Sequence, residues 1–408
     1  MTAQIAVFNL NGVAVASDST TTISNPERTR TVSGAQKLFD LGPGHRVVAM
    51  TSGEARFMRV PYAVLIPRWR ESLTTPPAHV EDYAQEFLAW LPTQRDLFGP
   101  EGQERLWKWM LEDYYFMVRA RLLRLLKDHD LQEAPWDHAD VANLVTDSVL
   151  EMVAALESRD DLHEVDLEAD RAFLSAQAEI ITGAFDYVFD DTPRTVAADE
   201  VLLNRVPALI LTKQEPWDVD TTVAFIGYGA EDAFPGHQVI ELTGMVGERL
   251  RYSAWEPAGT HVFNTSIVTP LAQSEAIFTF LRAYNSAFPS LAHDRLDAVG
   301  QEILGLDSLT DQARSQISQL LSEGHEALTA DIESHSWEQF ISPMLSTVES
   351  LPIGELARMA EPLVGIQALR SHSSDRQPSV GGAIAVVTIA PDTGVTWHRH
   401  HSEPVKHS

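Results

Sequence analysis

The stretch that decides the fold is TAQIAVFNLNGVAVASDSTTT, residues 2–22. Two runs of small and β-branched residues flank Leu10-Asn11-Gly12, and an Asn-Gly pair between such runs is a strong signal for a β-hairpin. Further along, AQKLFDL (35–41) and RVVAMTSG (46–53) flank the turn residues GPGH in the same way. The opening residues therefore predict two hairpins, which together would form a four-stranded N-terminal sheet.

Beyond these hairpins the pattern changes between helical and strand spacing. Apolar residues recur at helical spacing from Glu54, over most of residues 80–190 and again over 290–350. Strand character returns in residues 221–270 and in a closing hairpin at 381–400. This order predicts an α+β protein in which helices pack outside two sheets stacked face to face.

The same pattern bears on domain organisation. We expect one domain over residues 1–400, carrying large helical insertions at about 80–190 and 290–350, followed by a C-terminal tail at 401–408. The aromatic residues of the first insertion, such as Trp107 and Tyr115, recur at helical spacing, which is more typical of packing surface than of a cofactor site.

Composition excludes several classes of function. The 408 residues include 30 Lys+Arg against 58 Asp+Glu, and the net charge of -28 disfavours binding to nucleic acid or to anionic lipid. There is no cysteine, which rules out disulfides, thiolate metal sites and a cysteine nucleophile. The N-terminus lacks a signal-peptide pattern and no apolar run is long enough to span a bilayer. We therefore expect a cytoplasmic protein without membrane or nucleic-acid partners.

The second residue of the chain is a candidate nucleophile. Met1 precedes a small residue, so methionine aminopeptidase would leave Thr2 at the N-terminus. The α-amine of such a threonine, with a reference pKa of about 7.7 to 8.0, can accept the proton of its own hydroxyl. A nearby lysine ammonium would keep the amine neutral, and that lysine would need a carboxylate partner in a partly buried site. Asp18 and Lys37 are the available pair.

The register of the first hairpin decides whether these residues can meet. A three-residue loop over residues 10–12 would pair Gln4 with Asp18 and put Thr2 on the same face as Asp18, with α-carbons about 7 to 8 Å apart. A two-residue turn would shift the register by one and separate them. Acyl transfer also needs a donor for the oxyanion, and the backbone N–H of Gly53, at a predicted strand-to-helix junction, is a candidate.

These residues carry a resemblance to a known family. Met-Thr, the Asn-Gly turn, VAVASDS, QKLFDL and VVAMTSGEA resemble the start of proteasome β-type subunits of the N-terminal nucleophile hydrolase superfamily, and are closer still to bacterial proteasome-like proteins. The resemblance implies a four-layer αββα sandwich. It also implies that Thr2 is the nucleophile, that Asp18 and Lys37 assist it, and that Gly53 donates to the oxyanion.

Two departures concern the support of the threonine amine. The family's serine after the second-half strand is replaced by PLAQ (270–273), which leaves Ser266 or Gln273 as poor substitutes. The family's Asp-x-x-Ser group is echoed by Asp375 and Ser379 with displaced spacing. The expected reaction is hydrolysis of an amide or peptide bond through an ester on Thr2, with no cofactor or metal. A peptide or small amide is the expected substrate, and a homo-oligomer is allowed.

Alternatives stay open. The chain could be a proteasome-like scaffold that has lost catalysis, with the insertions forming an interface, or an amidase for small substrates that the insertions enclose. His398, His400 and His401 could bind a metal, but a solvated tail is favoured. Glu231 and Asp232 could act as acid and base, but a turn is favoured.

Overall fold

The computed structural model describes residues 2–25, 28–131, 139–162, 166–190, 195–214, 221–306, 308–373 and 379–401. Met1, Asp375 and residues 402–408 lie outside these ranges. Fifteen strands are described: β1 (Gln4–Asn9), β2 (Gly12–Ser17), β3 (Thr21–Asn25), β4 (Arg28–Val32), β5 (Leu38–Asp40), β6 (Arg46–Gly53), β7 (Arg56–Phe57), β8 (Val60–Pro61), β9 (Thr221–Tyr228), β10 (Gly236–Val246), β11 (Arg249–Ala254), β12 (Ala258–Gly259), β13 (Ser266–Pro270), β14 (Ala385–Ala390) and β15 (Gly394–Arg399).

The described helices fall in two blocks, one between β8 and β9 and the other between β13 and β14. They are α1 (Tyr62–Arg70), α2 (Val80–Trp90), α3 (Pro100–Asp128), α4 (Ala139–Glu157), α5 (Leu167–Ala176), α6 (Ala178–Phe189), α7 (Val196–Glu200), α8 (Val206–Thr212), α9 (Glu275–Arg282), α10 (Ala287–Leu304), α11 (Asp311–Ser336), α12 (Ser342–Ser350) and α13 (Ile353–His372). A 3₁₀ turn (Leu91–Thr93) and two π-helical turns (Val201–Arg205 and Trp337–Ile341) connect some of them.

Two antiparallel sheets organise the chain. One has the strand order β13-β1-β2-β14-β15, and the other has the order β11-β10-β9-β6-β5 with β12 paired to β10. The protein is therefore α+β, as predicted. The single four-stranded N-terminal sheet is wrong, because the first hairpin joins the first sheet and the β5–β6 hairpin joins the second. Each hairpin has apolar residues facing a partner sheet, so the two hairpins stack instead of pairing edge to edge.

The inner faces of the two sheets share one core. Phe8, Val15 and Val387 of the first sheet form a buried cluster with Met50 and Ile226 of the second. The opposite faces are covered by helices. On the first sheet, β1, β2 and β14 pack against α9, α12 and α13, and on the second, β5, β6, β9 and β10 pack against α1 and α2. Burial on both faces explains why the middle of each strand, residues 5–8 of β1 and 13–16 of β2, is apolar instead of alternating.

The helices α3 to α8 build a core of their own. Trp107, Tyr114 and Tyr115 are buried there, with Phe185 and Phe189 of α6 among their partners. Other aromatic residues of the same stripe, Trp109 and Phe116, are partly exposed. The stripe is thus mostly packing surface, as its helical spacing indicated.

Residues 54–61 differ from the sequence prediction. Instead of continuing as a helix from Glu54, the chain forms the short β7–β8 ribbon, and α1 begins only at Tyr62. The ribbon turns at Met58 and Arg59, which both have positive φ angles of 46° and 72°. Two adjacent positive φ angles are the signature of a tight type I′ turn, which apolar spacing alone does not reveal. None of the described helices combines the length and apolar composition that crossing a bilayer requires.

Candidate active site

The first hairpin has a two-residue loop. Asn9 pairs with Gly12, and Gln4 pairs with Ser17. The Asn9 side chain explains this choice, because its Oδ1 accepts a hydrogen bond from Asn11 N at 2.9 Å and closes the turn. The loop is Leu10-Asn11, so the three-residue loop, the alternative that would put Thr2 on the same face as Asp18, does not form. The strand ends at Ser17, however, so the alternation of faces does not govern where the Asp18 carboxylate points.

The Asp18 carboxylate is fully buried and accepts four hydrogen bonds. Oδ1 accepts from Ala3 N at 3.0 Å and from Lys37 Nζ at 2.7 Å. Oδ2 accepts from Thr20 N at 3.2 Å and from Gly381 N at 3.1 Å. A buried charge needs such partners, and here they come from four separate segments. Asp18 thus ties the N-terminus, Lys37 and the start of the closing hairpin into one cluster.

Lys37 is held at its side chain and its backbone. Its ammonium bonds the Asp18 carboxylate and donates to Thr20 O at 2.6 Å. Its carbonyl accepts from Thr51 N at 2.9 Å. Burial lowers the pKa of the Lys37 ammonium, while the attraction of Asp18 opposes that shift. The sequence-predicted pair of Asp18 and Lys37 is therefore in direct contact.

Thr2 adjoins this pair through its peptide groups. Thr2 is 4% exposed, and the N–H of the next residue, Ala3, bonds the Asp18 oxygen that Lys37 also bonds. Two donors on one oxygen place Ala3 N and Lys37 Nζ within about 6 Å of each other. The carbonyl of Thr2 accepts from Gln273 N at 2.8 Å. The segment that the sequence marked as a departure therefore fixes the backbone of the candidate nucleophile.

The strands β1 and β6 run in opposite directions across the interface between the sheets. Gln4 Nε2 donates to Thr51 O at 2.7 Å. Four residues further along β1, the ring of Phe8 lies 5.3 Å from the ring of His237. His237 pairs with Ile226 of β9, and Ile226 pairs with Val48 of β6, so Phe8 lies at the level of Val48. The residues of β6 that face β1 therefore decrease in number, from Thr51 to Val48, as the residues of β1 increase from Gln4 to Phe8.

This antiparallel arrangement places Thr2 and Gly53 at the same end of the stacked sheets. Each lies two residues beyond the bond between Gln4 and Thr51. Gly53 is exposed and ends β6 with a φ of 78°, a conformation that glycine adopts readily. It does not lie at a strand-to-helix junction as predicted, because the β7–β8 ribbon follows it.

An open cavity of about 1030 Å³ lies near the end of β6, although none of Thr2, Asp18, Lys37 and Gly53 lines it. Its wall includes Glu54, the residue after Gly53, and Thr221, which is the strand partner of Gly53. The β7–β8 ribbon and the first turns of α3 complete the wall. The cavity is large enough for several residues of an extended peptide or for a small amide.

The predicted support group is found only in part. Ser379 is buried, and its Oγ lies 3.5 Å from Gln273 Oε1, while its N–H donates to Ser371 Oγ at 2.9 Å. Ser379 thus reaches the segment that bonds Thr2. Asp375 lies outside the described residues. Ser266 is excluded as a support residue, because it pairs with Asn9 at the far end of β1.

Sequence reasoning did not anticipate the contact between His401 and the backbone at Lys37. A solvated tail was expected, but His401 is 8% exposed, and its Nε2 accepts from Lys37 N and Leu38 N, both at 3.2 Å. Burial, and secondarily the Lys37 ammonium, lowers the pKa of His401 to about 4. The only signal in the sequence was the position of His401 just after a closing strand.

Gly381 and Gly382, which the sequence marked only as part of the closing hairpin, also belong to this cluster. Gly381 N bonds Asp18, and Gly381 O accepts from Ser19 N at 3.2 Å. Gly382 has a φ of 76°, and a Cβ there would lie 2.6 Å from Ser19 Oγ. The glycine pair therefore permits a close approach that a side chain would block.

The other candidate groups have structural roles. Asp232 accepts hydrogen bonds from Gly229 N and Val80 N at 2.7 and 2.9 Å, so it connects a turn to the start of α2. This is the turn that the sequence favoured over an acid–base role. His398 bonds Thr388 Oγ1 at 2.9 Å, and His400 stacks on Trp397 with ring centroids 4.4 Å apart. Within the described ranges, no group of three His, Asp or Glu side chains has the arrangement of a metal site.

No protein-family model matches the chain, and no curated protein matches it. Among solved structures, the chain is similar to the Anbu (Gly-1) mutant from Hyphomicrobium sp. strain MC1, with 12% sequence identity and a TM-score of 0.30. That comparison covers 99% of this chain and 89% of the other. A likeness at this TM-score assigns neither a family nor an activity to the chain.

Proposed function

We propose that the protein is a threonine amidohydrolase or peptidase whose nucleophile is Thr2. One observation carries the proposal: the residue after Thr2 bonds the same buried carboxylate oxygen as the Lys37 ammonium. A buried lysine–aspartate pair of this kind is costly unless both charges are satisfied, and perturbed ionisable groups concentrate at functional sites. The two stacked sheets with helices on both outer faces support a four-layer N-terminal nucleophile architecture, with the helical blocks as insertions in one domain.

The chemistry requires Thr2 to have a free amine. In the first step the Thr2 hydroxyl oxygen attacks the substrate carbonyl carbon, and the α-amine accepts the hydroxyl proton. The tetrahedral oxyanion collapses, the bond from carbon to nitrogen breaks, and the leaving amine takes the proton. Water then hydrolyses the ester on Thr2 by the same route. The Lys37 ammonium keeps the α-amine neutral by charge repulsion, and Asp18 keeps Lys37 in place.

The oxyanion would be stabilised at Gly53. A backbone N–H presented there would contribute a donor to the charge that develops in the transition state. The substrate would extend from this point into the cavity beside Glu54 and Thr221. Peptides or small amides are the substrate class that this arrangement accommodates.

The test is intact mass spectrometry before and after incubation with a peptide epoxyketone. This reagent forms a ring with both the hydroxyl and the free amine of an N-terminal threonine. We expect one adduct on a chain that lacks Met1. The matched control is Thr2→Ser, which keeps a hydroxyl and should still react, whereas Thr2→Ala should not. A processed wild-type chain that takes no adduct, or an adduct on Thr2→Ala, would refute the assignment.

A second candidate function is a non-catalytic scaffold that associates with itself. The observation favouring it is the helical hairpin α10–α11, in which Phe288, Leu291 and Leu320 are more than half exposed. Size-exclusion chromatography with light scattering tests it. A large assembly without an epoxyketone adduct would favour the scaffold, whereas a monomer that forms the adduct would favour a free-standing hydrolase.

A further inference from the structure

We propose that His401 is a positioning residue for Lys37, acting through the backbone of residues 37 and 38. This inference goes beyond the proposed function and, for its effect on catalysis, rests on it. His401 follows β15, which is the edge strand of one sheet, and bonds the segment that begins β5, which is the edge strand of the other. One imidazole therefore connects the two sheets next to the candidate lysine.

The hydrogen-bond pattern requires a bend in the chain at Lys37. Successive N–H groups of an extended strand point in opposite directions, so one atom cannot accept from both. Here Nε2 of His401 accepts from Lys37 N and Leu38 N at the same distance, 3.2 Å. The chain is accordingly not yet a strand at Lys37, and β5 begins at Leu38. The imidazole stabilises this bend, from which the Lys37 side chain reaches Asp18.

The ring must be neutral to do this. Nε2 accepts two hydrogen bonds, so the proton of the ring resides on Nδ1. Nδ1 is buried and has no hydrogen-bond partner among the described residues. The contacts that His401 makes through Nε2 are those to residues 37 and 38.

The other backbone contact of Lys37 shows how the bend is completed. The Lys37 carbonyl accepts from Thr51 N, which holds the C-terminal side of the residue in the sheet. His401 holds its N-terminal side. With both peptide groups fixed, the ammonium is placed 2.7 Å from Asp18 and 2.6 Å from Thr20 O. Removing the imidazole acceptor would release the N-terminal side and let the ammonium leave Asp18.

The variants are His401→Phe, which removes the acceptor but keeps a ring, and His401→Gln, whose amide oxygen can replace Nε2. The control is His400→Phe, because His400 is the exposed neighbour that stacks on Trp397. The readout is trace acetylation of lysine amines in the full chain, quantified by peptide mass spectrometry. The sequence contains five lysines, few enough for each to be measured separately. They are Lys37, Lys108, Lys127, Lys213 and Lys406.

We expect His401→Phe to raise acetylation of Lys37 roughly tenfold, because local opening exposes the amine to the reagent. Lys213, whose side chain is 18% exposed and bonds Asp161, should be acetylated as in the wild type, which separates local release from general loosening. His401→Gln should stay within about twofold of the wild type, as should His400→Phe. Unchanged Lys37 acetylation in His401→Phe, or equal increases in the Phe and Gln variants, would overturn the inference.

A measurement on the wild type keeps the test decisive if His401→Phe does not fold. Amide hydrogen exchange should be slower at Lys37 and Leu38 than at Gln36, which is exposed and precedes the bend. Equal exchange at the three amides would refute the contact. The epoxyketone reaction is read in parallel: a wild-type chain without adduct refutes the proposed function, whereas the acetylation pattern still decides the role of His401.

Discussion

The stacked sheets and the helical hairpin α10–α11 differ in how completely they bury their residues. Every residue of β1 and β2 is buried. In α10 and α11, which together span more residues, the buried ones are Gly300 and Ser336. The sheets bury a polar cluster around Asp18, whereas the helical hairpin leaves apolar side chains such as Leu291, 67% exposed, in contact with water.

The difference predicts how strongly the stability of each region depends on single side chains. The buried carboxylate of Asp18 accepts hydrogen bonds from several segments of the chain, so a single substitution there removes several contacts at once. The helical hairpin has few fully buried residues, so a substitution on its exposed side removes few contacts. We therefore expect large effects of substitutions near Asp18 and small effects on α11.

The largest effect is expected for Asp18→Ala. It leaves the Lys37 ammonium buried without its carboxylate, and breaking a buried ion pair in this way costs about 3 to 5 kcal/mol of unfolding free energy. The variant should also lose reactivity towards the epoxyketone, because Lys37 is no longer held near the N-terminus. Denaturant unfolding measures the first effect, and intact mass measures the second.

The control for this variant is Asp294→Ala on α10. Asp294 is exposed, so its removal should change the unfolding free energy by no more than about 0.5 kcal/mol. Equal losses for the two aspartates would contradict the contrast between the two regions.

Gly382→Ala should have the next largest effect. A Cβ at this position would lie 2.6 Å from Ser19 Oγ, and the backbone has a positive φ that alanine tolerates poorly. We expect a loss of about 1 to 3 kcal/mol in unfolding free energy, measured by denaturant titration. Gly365→Ala in α13 is the matched control, because its Cβ meets nothing within 4 Å, and alanine there should stabilise the helix by roughly 0.5 to 1 kcal/mol. A neutral Gly382→Ala would contradict the close approach to Ser19.

The sequence predicted the α+β class because turn residues and apolar periods are local signals. It predicted a contact between Asp18 and Lys37 through the family resemblance and the need of a buried lysine for a carboxylate. It did not predict the pairing of the N-terminal hairpins with different sheets, because strands buried on both faces show no alternation that would identify a partner. The catalytic roles of Thr2, Asp18, Lys37 and Gly53 stay predictions.

Other features depended on contacts that no local pattern encodes. The register of the first hairpin was decided by Asn9 Oδ1, a single side-chain acceptor. The burial of His401 depends on Lys37, which is 364 residues away in sequence. The positive φ angles of Met58 and Arg59 occur without glycine, so the β7–β8 turn carried no compositional signal.

Acid should weaken the sheet region through two buried histidines. Burial lowers the pKa of both His237 and His401 to about 4, below the ordinary value of 6.5 in the unfolded chain. The unfolded state therefore binds more protons between these values, and stability is lost as pH falls from about 6.5 towards about 4. Each histidine should contribute about 1 kcal/mol of loss between about pH 7 and about pH 5.5.

His401→Gln isolates one of these contributions. The variant lacks the titrating imidazole at this position, so its unfolding free energy should fall less steeply with acid than that of the wild type. Parallel denaturant titrations at several pH values measure the difference between the two slopes. Identical slopes would contradict a neutral, buried His401.

The smallest effect is expected for Leu320→Ser on α11. Leu320 is 65% exposed, so serine should change the unfolding free energy by no more than about 0.5 kcal/mol. The same replacement at the fully buried Leu38 of β5 should cost several times more, since it opens a cavity between the sheets and buries a hydroxyl. If Leu320→Ser instead destabilises strongly, and the loss grows with protein concentration, then another copy of the chain covers α11. The helical hairpin would in that case belong to an interface, and the contrast with the sheets would disappear on assembly.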